Sequence, residues 1–331
     1  MYRRICRLKS TAFYDLTTLR SGYVFAPWWL EGDEAVRRLL SPSGRVVEVR
    51  VRQTDTGASV RLLSAEPLSD GDIQSMRWTV DWLLGVSEDL SDFYDFASQH
   101  PELRRSLRAL SGYRLKATYD LHEALISAII SQNTSFQGFR KMLLAVISAC
   151  GPCENIGDRS IHAFPGPEAL ARVKPASLLP LGLGYRSEVI PTVSQAILGG
   201  LDGEIQEMGS EESVSRLMEI KGIGQYTAGC ALLYGLRRYD AFYTDSYVTK
   251  VFGELFFKDR IPRDSEIRTW SAERWGRYRG LALDLVLANH MGPRELSHGS
   301  ASPLVIARSP ELVEGRRSNL SFSHGLDGLI G

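Results

Sequence analysis

The run Leu217–Lys250, LMEIKGIGQYTAGCALLYGLRRYDAFYTDSYVTK, constrains this chain more than any other stretch. Two amphipathic helical patterns flank Gly222-Ile223-Gly224, and a further helical pattern opens at Asp245. Two glycines around one apolar residue let the backbone turn tightly and approach a ligand where side chains would intrude. The helix after the turn begins at about Gln225, so its unpaired N–H groups point out of the turn. Such groups bind phosphate without basic side chains. An ordinary helical hairpin with a glycine at its C-cap satisfies the same letters. Asp245 also reads two ways. It is a good N-cap, and a capping carboxylate can turn its other oxygen into a cleft, orient a water and stabilise the cation formed when a glycosidic bond breaks.

Composition narrows the partners. The chain has 39 basic and 39 acidic residues among 331, which argues against a generic polyanion binder. It leaves room for a protein that grips a few phosphates with local donors. Cys6, Cys150, Cys153 and Cys230 form no disulfide framework and fit a reducing cytoplasm. Cys150-Gly-Pro-Cys153 has redox or half-zinc spacing, but no second pair completes a site. The chain contains no apolar run long enough to span a bilayer, and MYRRICRLKS lacks the apolar region of a secretion signal. A cytoplasmic protein is expected.

The expected fold class is α+β and mostly α. Residues 1–70 read as a small antiparallel sheet domain. Gly44–Gln53 and Ala58–Ala65 alternate around the turn letters Asp55-Thr56-Gly57, and Leu19–Phe25 is a further candidate strand. From residue 71 to residue 291 the period is helical, with helices expected over Asp72–Val86, Asp89–Gln99, Glu102–Leu110, Tyr119–Ser131 and Phe136–Cys150. Asp120 is the expected N-cap of the fourth, with Glu123 at capping-box spacing. Cys153–Gly166 reads as a loop. Further helices follow as far as His290, including the pair that flanks the glycine turn within residues 211–237 and one beginning at 245. Residues 292–331 are Ser/Gly/Arg-rich without period, and a disordered tail is expected there.

LMEIKGIGQYTAGCALLYG followed by TDSYVTKVF resembles the helix-hairpin-helix–Gly/Pro–Asp superfamily of DNA glycosylases. The likeness spans roughly residues 13–291 and includes LRSGYVF at 19–25, LISAIISQN at 125–133, LGLGYR at 181–186 and WGRYRGLA at 275–282. The branch it resembles contains 8-oxoguanine DNA glycosylase and bacterial 3-methyladenine DNA glycosylase II. The resemblance implies an N-terminal antiparallel sheet domain packed on two all-α domains, with a helix-hairpin-helix motif. It also implies a reaction, in which a damaged base is flipped out of duplex DNA and its N-glycosidic bond cut.

By this resemblance Asp245 is the catalytic aspartate, and Gly222, Ile223, Gly224 and Gln225 meet the DNA backbone. Asn133, assisted by Gln132, fills the hole left by the base; Tyr185 is a wedge and Arg186 contacts the orphan base. Carbonyls of Met218, Ile220 and Ile223 match a monovalent-cation (K+ or Na+) site, no other cofactor is required, and no iron–sulfur cluster is expected. The lysine with which bifunctional members form a Schiff base falls on Tyr226. A monofunctional, water-based enzyme is therefore expected, working as a monomer on double-stranded DNA and not at a membrane.

The base itself is read two ways. Gly22 and Cys230 match positions that hold 8-oxoguanine. The glutamine and phenylalanine of that pocket fall on Leu283 and Leu287, and one orphan-cytosine arginine falls on Gly138, with Arg140 close by. A pocket that loses polar readers and gains Tyr226 and Tyr247, with Trp28 or Trp29 as further candidates, suits a cationic alkylated purine such as 3-methyladenine. The alternatives are an 8-oxoguanine enzyme and a non-catalytic DNA-binding scaffold.

Overall fold

The computed structural model describes residues 1–23 and 25–293. Five strands form one antiparallel sheet in the order β1-β5-β4-β3-β2: β1 (Tyr2–Lys9), β2 (Trp29–Glu31), β3 (Glu34–Leu40), β4 (Val46–Thr54) and β5 (Gly57–Ser64). Thr54 pairs with Gly57 across the expected turn. Gly57 has φ +140°, and any Cβ there would strike the backbone of β1 around Leu8. One sheet face carries Val47, Val49, Val51, Val60 and Leu62, which pack on Met76, Val80 and Leu83 of helix α1 (Asp70–Leu84).

Two segments depart from expectation. Leu19–Phe25 is not a strand. Leu16–Arg20 forms a 3-10 turn capped by Asp15, and the chain then runs down onto the helices, meeting Pro293 through a lone bridge at Ser21. Cys153–Gly166 is not merely a loop, because β6 (Cys153–Ile156) and β7 (Arg159–His162) form a hairpin. The outer sheet face explains it: Val46 and Leu63 there are apolar and are covered by Ile156, Ile161 and Ala163. Arg159 adds a bond to the buried Glu48 at 3.3 Å.

The helical part comprises α2 (Ser91–Gln99), α3 (Pro101–Ala109), α4 (Leu121–Ser131), α5 (Phe136–Cys150), α6 (Pro167–Ala171), α7 (Pro175–Leu178), α8 (Arg186–Leu198), α9 (Leu201–Glu207), α10 (Ser210–Met218), α11 (Gln225–Cys230), α12 (Ser246–Phe256), α13 (Asp264–Trp275) and α14 (Arg279–Met291). The expected tail lies, from residue 294 on, outside the described residues. Every residue of α4 is buried, including the polar His122 and Glu123, which find partners on other elements. Asp120 caps it, accepting the Glu123 amide at 2.7 Å. The reciprocal half of the capping box does not form, because the Glu123 side chain turns to Arg37 of β3. That buried ion pair ties the sheet to the central helix.

The preceding residue, His122, is also buried, with Nε2 3.0 Å from Ser194 Oγ of α8. Burial pulls its pKa down to about 4. The fold therefore holds it neutral. Its contribution to stability is complete above the unfolded value, about 6.5, and is lost as pH falls toward 4. That loss amounts to about 1.4 kcal/mol per pH unit. Urea unfolding at pH 7 and pH 5 should show a smaller pH difference in His122→Asn than in the wild type.

Candidate active site

The hairpin is built around one apolar pin. Ile223 is buried in the helical core and donates its amide to Ile220 O at 3.0 Å, which leaves that carbonyl a second lone pair. The two glycines beside it differ. Gly222 has φ +94°, and a Cβ there would lie 2.5 Å from Val189 Cγ2 of α8, so conformation and space both exclude side chains. Gly224 has an ordinary φ of −105°, is exposed, and would present a Cβ to open space. It starts α11 without a side-chain cap, so the helix's first amides face outward beside the exposed Gln225.

Asp245 reaches the same region by a tightly guided path. The chain at residues 239–243 passes between two glycines. A Cβ on Gly229 of α11 would lie 2.5 Å from Phe242 O, and one on Gly280 of α14 would overlap Ala241 O. Gly280 also donates its amide to Tyr239 O at 2.7 Å. Thr244 then bonds Asp264, and Arg268 of α13 holds both, at 2.8 Å to Asp264 and 3.0 Å to Thr244. Asp245 follows as the N-cap of α12, accepting the Val248 amide at 2.7 Å. It is open to solvent, yet desolvation by the walls around it raises its pKa above the ordinary carboxylate value, against the lowering effect of the Val248 and Tyr247 amides.

Beside it lie Tyr226 and Cys230 of α11. The Tyr226 hydroxyl is 3.0 Å from Ser131 Oγ, and its ring meets Tyr243 edge to face at 5.5 Å. Burial, then the nearby Asp245 charge, drives the Cys230 thiol well above its usual range. Leu283 and Leu287 are buried on α14. Gly22, at φ +85°, sits against Ala288 of the same helix, where a Cβ would come within 3.1 Å. Beneath runs a buried polar chain: Tyr243 OH lies 3.0 Å from Tyr234 OH, Tyr234 donates to Asp284 at 2.8 Å, and Tyr113 donates to the other Asp284 oxygen. Lys116 lies 4.0 Å over the Tyr113 ring and donates to Ser21 O at 3.1 Å, with its pKa lowered to about 8 by burial despite Asp284.

A third group stands at the C-terminus of α4. Tyr185 is half exposed and donates to Gln132 Oε1 at 2.9 Å. Gln132 Nε2 donates to Gly222 O at 3.1 Å and Thr227 Oγ1 at 2.8 Å, tying the hairpin to this loop. Asn133 is exposed in the left-handed region, φ +48°, with its amide 3.4 Å from Tyr185 OH.

Residues 126–277 match the family model of the HhH-GPD superfamily base excision DNA repair protein. The matched stretch carries the hairpin, Asp245 and helices α5 to α13. It is 28% identical over 272 residues, 75% of this chain and 85% of the relative, to the Probable N-glycosylase/DNA lyase of Methanothermobacter thermautotrophicus. It is 27% identical over 173 residues, 51% of this chain and 57% of the relative, to the DNA-3-methyladenine glycosylase of Bacillus subtilis. Its fold overlays that of the 3-methyladenine DNA-glycosylase from Archaeoglobus fulgidus with a TM-score of 0.73, covering 88% of this chain and 99% of that one at 22% identity.

Several expected side chains sit elsewhere than the resemblance implied. Arg186 does not offer its guanidinium to an orphan base. It is buried beneath the Tyr185 ring and donates to the carbonyls of Ile129 at 3.1 Å, Leu183 at 3.2 Å and Gln132, where it caps α4. Arg140 also turns inward, to Trp28 O at 2.8 Å. Trp28 and Trp29 are buried, so neither indole stands ready to stack on an incoming base. Sequence reasoning missed Gly229, Gly280, Lys116, Asp284 and Arg268. The two glycines interrupt helical patterns, which is the signal that could have found them. Gly222→Ala should cost about 1–3 kcal/mol, whereas Gly224→Ala should stay within about 0.5 kcal/mol of wild type. Urea denaturation of the two variants checks the contrast.

Proposed function

We propose that this HhH-GPD protein is a monofunctional DNA glycosylase that extrudes an alkylated purine, such as 3-methyladenine, and hydrolyses its N-glycosidic bond. What supports the reading is that Asp245 and Tyr226 both neighbour Cys230. By the resemblance, Asp245 supplies the carboxylate that stabilises the sugar cation, and Tyr226 takes the position of the imine-forming amine.

In this reading the outward amides of the hairpin and its Gly224 meet the phosphate backbone. A monovalent cation shared by the carbonyls of Met218, Ile220 and Ile223 would strengthen that grip. Tyr185 inserts beside the orphan base and Asn133 fills the vacated space, at an unstacking cost of a few kcal/mol. The base enters against Tyr226, with Tyr247, Cys230, Leu283, Leu287 and Gly22 as further walls. These are aromatic and apolar surfaces suited to a cationic ring. As the glycosidic bond lengthens, Asp245 stabilises positive charge on the sugar and orients the attacking water. Tyr226 carries no amine, so no Schiff base forms and the strand stays intact. Gly22 and Cys230 keep 8-oxoguanine as the second reading of the substrate.

Base release from methylated duplex DNA should fall at least about 100-fold in Asp245→Asn, with DNA affinity within a few-fold of wild type; unchanged release would overturn the catalytic assignment. The acid limb of the rate should lie above the ordinary carboxylate value, because Asp245 must be ionised and its pKa is raised. Strand breakage should appear only after alkali. A covalent protein–DNA adduct trapped by borohydride would exclude the monofunctional reaction.

A further inference from the structure

The reaction just described uses Tyr247 only as a wall of the pocket and leaves the groups hydrogen-bonded to it unused. His290, in the last turn of α14, has Nε2 3.0 Å from Glu254 Oε2 and Nδ1 2.8 Å from the Tyr247 hydroxyl. Tyr247 lies two residues after Asp245 in the first turn of α12. His290 lies two residues after Ala288, the residue on which Gly22 rests. The series therefore links α12 to α14, the two helices that carry Tyr247 and the pair Leu283 and Leu287. Its outer end meets solvent, since the side chains of His290 and Glu254 are 25% and 41% exposed. Lys250, one turn before Glu254 on α12, lies 3.7 Å from that carboxylate. With Asp245 at the N-cap, these are the charged groups of α12 around the imidazole.

Carboxylate, imidazole and hydroxyl in line fix the direction of proton flow. Glu254 accepts from Nε2–H, which leaves Nδ1 to face the phenol. When the imidazole is protonated, Nδ1–H donates to the Tyr247 oxygen and frees the phenolic proton for a third atom. Alkylated purines need no such proton, because the cationic ring leaves as a neutral base. An uncharged purine would leave as an anion unless a proton is supplied during bond cleavage.

We propose that Glu254, His290 and Tyr247 form a proton relay through which this site releases uncharged purines as well as cationic ones. Tyr247 is the catalytic acid of the relay; His290 and Glu254 are positioning residues that act through it. The C1′–N9 bond breaks and its electron pair passes to the purine. The Tyr247 proton goes to a purine ring nitrogen, and the Nδ1 proton of His290 refills the phenol. Water adds to C1′ and yields its proton to Asp245, and solvent reprotonates His290. The relay rests on the glycosylase reading above.

Two duplexes test it, one carrying 7-methylguanine as the cationic base and one carrying hypoxanthine as the uncharged base. Single-turnover release is measured for the wild type, Tyr247→Phe, His290→Gln and Glu254→Gln. The ratio of hypoxanthine to 7-methylguanine release should fall at least about 30-fold in Tyr247→Phe and His290→Gln, and by less in Glu254→Gln. Wild-type release of 7-methylguanine without hypoxanthine, or equal slowing of both bases in every variant, overturns the relay and leaves the glycosylase reading standing. Release of neither base overturns both.

Discussion

The passage of residues 239–243 between Gly229 and Gly280 is the constraint on which the candidate site depends. Backbone carbonyls at Ala241 and Phe242 come so close to α14 and α11 that a methyl group on either glycine would overlap them. Such contact leaves the strand almost no lateral freedom, since packed interiors deform little. What emerges from the slot is Asp245, held again by the Val248 amide and preceded by a threonine bonded to Asp264. A carboxylate fixed at both its approach and its cap needs little reorganisation when charge develops beside it, which is the condition for effective electrostatic stabilisation.

The same two helices set the electrostatic floor. Asp284 is buried on α14 and accepts from Tyr234 and Tyr113, while Lys116 supplies the compensating positive charge nearby. A buried carboxylate with two hydroxyl donors and a neighbouring ammonium is tolerable; without them it would be costly. Lys116 simultaneously holds Ser21 O, one residue from Gly22. The charge balance under the pocket and the position of its N-terminal wall are thus one problem with one solution. This explains why the stretch around Gly22 leaves the sheet for the helices.

How much of this was legible in the sequence depends on distance along the chain. α5 ends where Gly151-Pro152 says it should, and Asp120 and Asp245 cap helices as their letters imply, because those signals are local. The hairpin glycines and Asp245 were found because they fall in one run. Leu19–Phe25 was misread because its partners are Lys116, Ala288 and Pro293, all remote in sequence. The β6–β7 hairpin was missed because its strands are four residues each, too short to establish a period. Arg186 shows a different limit: its neighbours in sequence are those of a DNA-contacting loop, and only the three-dimensional course of α4 turns its guanidinium inward.

The zero net charge of the chain is compatible with this architecture. Arginines that would ordinarily supply a basic DNA surface are spent inside: Arg37 on Glu123, Arg140 on Trp28 O and Arg186 on the end of α4. Each donates to a buried carbonyl or carboxylate that would otherwise lack this partner. The outward-facing donors near Asp245 are instead main-chain amides at the start of α11, and helix-start amides as a class can bind phosphate by direction and not by charge number. Binding carried by few ionic contacts loses little when salt rises. Positional accuracy at the hairpin, set by Ile223 in the core and Gly222 against Val189, is then what the proposed phosphate grip depends on.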